Sequence, residues 1–251
     1  MGEEKAENLQ AKQTLFWEVG KKGVVIVKFA ALLFIFWLLQ FAFQYYFVSE
    51  GSFEDSAIRA SSLGGALLIA ISLIIGPLQS LWPKYNYLNF RRSFGVGGFF
   101  LIIAHAYSVV MFRFGGNALN AFANLNPLQS ALAFGSLAYL LLFPLLLTST
   151  DWAMRKLKFN NWKLLHRTIY FTWILAVLHF LIIRPGQLMN IAGYLLLAAT
   201  ALVFLLQFIA YMVRIRRSRS KFAMLAGISV ILFLATWLYF TYPKYLKVLG
   251  F

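Results

Sequence analysis

Seven stretches of the chain stay apolar for long enough to cross a bilayer: Val24–Val48, Ala60–Leu81, Phe94–Phe112, Gln129–Ser149, Thr168–Ile183, Asn190–Val213 and Phe222–Tyr242. Roughly 20 apolar residues in a helix cover a ~30 Å hydrocarbon core. Inside that core the backbone must pair with itself, so such stretches fold as helices. The pattern predicts an all-α integral membrane protein, a bundle of seven transmembrane helices. The first stretch is too long for a cleavable leader, follows polar residues and has no small-residue cleavage site after it, which predicts a retained span.

Composition supports that reading: 61% of residues are hydrophobic and 12% charged, against roughly 25% charged in soluble domains. The net charge of +15 takes its meaning from where the bases lie. Lys84, Arg91 and Arg92 fall between the second and third spans. Arg155, Lys156, Lys158 and Lys163 fall between the fourth and fifth, and Arg214, Arg216, Arg217, Arg219 and Lys221 between the sixth and seventh. The alternate loops are poor in base, with Glu50, Glu54 and Asp55 dominating the first. The positive-inside rule then places the N-terminus in the cytoplasm and the C-terminus outside, in an inner (plasma) membrane. Lys244 and Lys247, past the last span, vote the other way. Bases strung along one membrane face do not make a nucleic-acid surface, and topology and attraction to anionic lipid account for them.

The chain contains no cysteine, which excludes disulfides, iron–sulfur clusters and a covalently attached c-type haem. Residues 1–22 form a short charged tail, too small for a domain. Residues 23–213 make the membrane core, and 214–251 a basic cytoplasmic loop with an extra C-terminal helix. A flavin or nicotinamide domain would have to be a separate polypeptide.

Three histidines, His105, His166 and His179, are the only ones in the chain, and each stands in or at the end of an apolar span. Ionisable side chains are expensive inside a membrane and mark function. The third and fifth spans run in the same direction from basic loops. His105 lies ~16 Å along its span from Phe94, and His179 lies ~20 Å beyond His166. His105 and His179 therefore reach similar depths in the outer half, where two neutral imidazoles can hold one haem iron from both sides. His166 cannot share that iron, because metal–nitrogen bonds are only about 2 Å long. It belongs either to an inner site whose second ligand comes from elsewhere or to contact with a flavin or quinone. His166 and His179 also stand about 140° apart around an ideal helix. Either the fifth helix is distorted, or the two sites lie on different sides of it.

The sequence around these histidines carries a resemblance. Thr148-Ser149-Thr150-Asp151 leads into Arg155-Lys156-Leu157, then Trp162-Lys163-Leu164-Leu165-His166-Arg167-Thr168-Ile169-Tyr170 and Leu175-Ala176-Val177-Leu178-His179-Phe180. Upstream stand Pro77-Leu78, Leu88, Arg91-Arg92-Ser93-Phe94-Gly95 and His105. Over about residues 24–213 the chain resembles the ferric-reductase-like transmembrane family. Within it, the likeness is to the haem-binding membrane subunits of bacterial periplasmic methionine sulfoxide reductase systems. The resemblance implies a six-helix core carrying haem b, one or two groups, with His105, His166 and His179 as haem-associated histidines and metal ligands. It also implies electrons arriving from a cytoplasmic flavin reductase, FMN or the quinol pool and leaving to an extracytoplasmic redox enzyme. The single histidine on the third span separates the chain from the NADPH oxidases. The seventh helix exceeds the six expected from such relatives, and the polar segment Gly115–Pro127, with Asn117, Asn120, Asn124 and Asn126, has no match in them.

Other residues admit two readings. Gly95, Gly97 and Gly98 let either a neighbouring helix or a flat macrocycle approach closely. Arg91, Arg92 and Arg167 either set topology or pair with haem propionates, a flavin or a quinone. Tyr107, Tyr170 and Phe180 stand near a histidine in sequence. Three functions compete: a transmembrane electron-transfer subunit serving a methionine sulfoxide reductase, a membrane reductase of ferric or other metal ions, and a haem-free proton-coupled transporter. The last would favour paired carboxylates within the spans, and there are none.

Overall fold

In a computed structural model the described residues, 2–84, 87–122, 131–183 and 190–218, fold into helices with no strand among them. They are α1 (Gly2–Phe47), α2 (Phe53–Leu81), α3 (Leu88–Phe114), α4 (Ala118–Phe122), α5 (Ala131–Leu147), α6 (Asp151–Leu157), α7 (Phe159–Ile183) and α8 (Ile191–Ser218). Five helices are long and apolar enough to cross a membrane, and a sixth span arises if α5 and α6, bent by 93° to one another, count as one. The chain is a multi-pass α-helical membrane protein. The expected seventh span, Phe222–Tyr242, lies outside the described residues, as do Asn124 and Asn126.

α2 and α7 extend beyond their apolar stretches through polar turns. α2 starts at Phe53 rather than Ala60: Ser52 accepts from the Asp55 amide (3.3 Å), satisfying a donor that the helix start leaves open. Glu54 and Asp55 in that first turn suit the positive end of the helix dipole. α7 starts at Phe159 rather than Thr168, after Lys158 turns the chain at φ 62°. His166 is therefore well inside a helix and not at its end. The polar segment Gly115–Pro127 contains α4, whose first turn is capped by Asn117 accepting from the Leu119 and Asn120 amides (3.0 and 3.3 Å).

α2 is the hub, packed on α1, α3 and α8, while α7 packs on α5 and α6. Its crossing with α3 is set by two facing glycines. A Cβ on Gly98 would lie 2.9 Å from the Gly65 carbonyl oxygen and 3.1 Å from the Ile69 nitrogen. A Cβ on Gly65 would lie 3.0 Å from the Gly98 oxygen. Only hydrogen at both positions lets the two backbones touch, as small residues do at membrane helix crossings.

A proline explains the α2–α8 contact. Pro77 lacks an N–H, so the carbonyl four residues earlier, Leu73, loses its helical partner. Gln207 of α8 supplies it, donating to Leu73 O at 3.1 Å and also to the Tyr170 hydroxyl of α7. One amide thus ties three helices. Gln207→Leu should lower stability in detergent by about 0.6–2 kcal/mol, the range for interhelical hydrogen bonds in membranes, measured as a fall in melting temperature.

Candidate functional site

The fold brings His105 of α3 and His179 of α7 together: their ring centroids lie 6.4 Å apart with the planes at 74°. Each ring is held through the same atom. His105 Nδ1 is 3.1 Å from the Ile58 carbonyl of α2, and His179 Nδ1 is 2.7 Å from the Ala131 carbonyl of α5. A carbonyl only accepts, so Nδ1 carries the proton in both residues. Nε2 is left on each as a free lone pair, the tautomer that coordinates a metal.

Two turns below His105 lies the glycine crossing. Gly98 and His105 on α3, and Gly65 and Ile58 on α2, are each seven residues apart, about two helical turns in antiparallel helices. The close approach at the glycines is thus what brings the Ile58 carbonyl within reach of the imidazole. Gly97 faces Phe29 and Leu33 of α1, and Gly95 faces Ser72 of α2. The glycines of α3 are turned towards helices.

His166 has a different environment. Its Nε2 lies 3.1 Å from Thr148 Oγ1, whose single proton goes to the Pro144 carbonyl at 2.7 Å. His166 therefore donates from Nε2 to Thr148, the opposite tautomer from the other two. Trp162 stacks on its ring at 4.2 Å between centroids and donates to the Thr148 carbonyl (2.8 Å). α7 is one unbroken helix from Phe159 to Ile183, so His166 and His179 serve separate surroundings without any distortion.

The basic residues divide as well. Arg91 is half-buried, with its guanidinium against Gly76 of α2, where a Cβ would come within 3.6 Å of Nη1. It stands within electrostatic reach of both His166 and Tyr170. Arg92 is exposed and paired with Asp151 at 2.7 Å, joining the starts of α3 and α6. Outside the spans, that guanidinium holds the Asp151 carboxyl below the ordinary carboxylate range. Arg167 is exposed. Of the aromatics, Tyr107 is exposed, while Tyr170 and Phe180 pack against the apolar core.

Among the described residues no group of three or more His, Asp or Glu is placed to hold a bare metal ion. The site offers two neighbouring imidazole rings, each with Nε2 uncommitted. Its supporting atoms, the Ile58 and Ala131 carbonyls, carry no side-chain signature in the sequence. Thr148 and Trp162 stand in the quoted motif without their role being readable.

The chain is similar to known membrane proteins. Residues 60–177 match the family model described as ferric reductase like transmembrane component, a range that takes in His105 and His166 and stops two residues short of His179. A protein-methionine-sulfoxide reductase heme-binding subunit MsrQ of Bordetella parapertussis is 29% identical over 160 residues, 62% of this chain and 77% of that protein. An MsrQ of Agrobacterium fabrum is 30% identical over 118 residues, 47% of this chain and 54% of that protein. An MsrQ of Xanthomonas axonopodis is 37% identical over 113 residues, 45% of this chain and 51% of that protein. In its membrane helices, its motif and these relatives, the chain is similar to the ferric-reductase-like transmembrane family and, within it, to the MsrQ subunits.

Proposed function

We propose that this chain is a haem b electron-transfer subunit, with His105 and His179 as the axial ligands of a haem in the outer half of the membrane. The observation that carries the reading is the imidazole pair and its spacing. The ring centroids stand 6.4 Å apart, close enough for one metal ion with nitrogen bonds of about 2 Å to be held by a nitrogen of each ring. Both Nδ1 atoms are already committed to carbonyls, as outer-shell partners commit ligand histidines generally. A bound haem supplies one-electron chemistry. The chain supplies two neutral nitrogen ligands and a low-dielectric seat that set its potential.

Residues 23–213 act as the haem-binding core, and 214–251 as a basic loop and added helix. Under the positive-inside rule the Arg91 end faces the cytoplasm and the C-terminus lies outside, in the inner membrane. Electrons enter at that end from a flavin reductase, FMN or the quinol pool. Arg91, Arg92 and Arg167 provide positive charge there, and His166, stacked on Trp162, lines the approach. Gly95 and Gly98 act on the haem site through the α2–α3 crossing. Electrons leave outside to a redox enzyme of the methionine sulfoxide reductase kind, which is what the relatives' names attach to them.

The acceptor separates this reading from a metal-ion reductase. Reduced protein in vesicles should be reoxidised by methionine sulfoxide only when an extracytoplasmic methionine sulfoxide reductase is added, and the two should co-purify. Rapid reoxidation by ferric chelates alone, with no stable partner, would favour the metal reductase instead.

A further inference from the structure

We infer that Gly135 is a positioning residue for the His179 ligand, an inference that rests on His105 and His179 forming the axial pair. An ideal Cβ built on Gly135 would lie 2.7 Å from Nδ1, 2.8 Å from Cε1 and 3.1 Å from Cγ of His179. These are its three nearest heavy atoms, and all belong to one rigid ring. The imidazole therefore lies flat on the bare backbone of α5. One turn earlier on the same face, the Ala131 carbonyl accepts from Nδ1 at 2.7 Å. Residues 131 and 135 together fix the tautomer, the plane and the direction of Nε2.

Glycine inside a helix is unfavourable relative to alanine, and α5 gains nothing from it by propensity. What the missing methyl provides is the space the ring occupies. A methyl at 135 cannot be accommodated by bending the far end of a flexible chain. The ring must turn, which breaks the bond to Ala131 and changes the direction of Nε2.

The test uses full-length protein expressed with haem and its optical and paramagnetic resonance spectra. Wild type should be six-coordinate and low-spin. Gly135→Ala should show most of its haem as high-spin, with added imidazole restoring the low-spin form. In haem-free protein, ¹⁵N-histidine resonances should report the loss of the Nδ1–H tautomer at one histidine. Should Gly135→Ala fail to accumulate, the double variant Gly135→Ala/His179→Ala decides, because removing the ring makes room for the methyl. Recovery of the double variant to the level of His179→Ala alone supports the inference. Failure of both, or a Gly135→Ala protein with wild-type spectrum and tautomer, overturns it. A wild type without a low-spin signal overturns the axial pair itself, a separate outcome.

Discussion

Alanine at His179 or at His105 is expected to abolish the low-spin haem spectrum, while alanine at His166 leaves it in place. Loss of an outer-shell partner of a ligand histidine typically costs 10–100-fold in affinity, so loss of the ligand itself should cost at least ~100-fold. The asymmetry comes from hydrogen bonding. His105 and His179 each give Nδ1–H to a carbonyl and keep Nε2 free. His166 has its Nε2 engaged by Thr148 and its ring covered by Trp162. Visible and paramagnetic resonance spectra of the three purified variants read the spin state, and the pyridine haemochrome assay reads their haem content. A His166→Ala protein that loses half its haem with the low-spin spectrum otherwise intact would establish a second, inner haem.

The second large effect belongs to Gly98. Leucine or alanine there pushes a side chain into the Gly65 carbonyl and the Ile69 backbone, and backbone cannot swing aside. Overpacking of this kind costs roughly 1–3 kcal/mol, more for the larger residue. Gly97→Ala meets only the side-chain ends of Phe29, Leu33 and Leu68, and Gly95→Ala only the Ser72 side chain, so both should be far milder. Because the crossing lies two turns below the Ile58–His105 bond, separating α2 from α3 also removes the carbonyl from the imidazole. Gly98→Ala should therefore lower melting temperature and haem affinity together. Equal effects at positions 95, 97 and 98 would show that the glycines act through a shared bound group rather than through this crossing.

What could be read in advance follows the physics of each feature. Five of the seven expected spans, those in α1, α2, α3, α7 and α8, were legible because a bilayer requires long apolar helices, and their depth arithmetic puts His105 and His179 on one level. Helix ends were not, since α2 and α7 extend through polar turns that hydropathy alone discards; Ser52 before α2 was the available cue. Tertiary hydrogen bonding was partly legible. Pro77 announces an unpaired carbonyl at Leu73, but nothing in sequence says that Gln207, on another helix, answers it. The carbonyls of Ile58 and Ala131 are invisible for a simpler reason: every residue has one, and only the fold chooses which faces a histidine. Gly135 is a single glycine in an apolar run, indistinguishable there from a packing glycine.

Whether two imidazoles from α3 and α7 hold one haem decides the function of this chain. The direct measurement is the visible and low-temperature paramagnetic resonance spectrum of the purified full-length protein after haem-replete expression. A Soret band with a low-spin, bis-imidazole ferric signal that both His105→Ala and His179→Ala remove is the expected result. A protein without a Soret band, or one whose low-spin signal survives both substitutions, would contradict it.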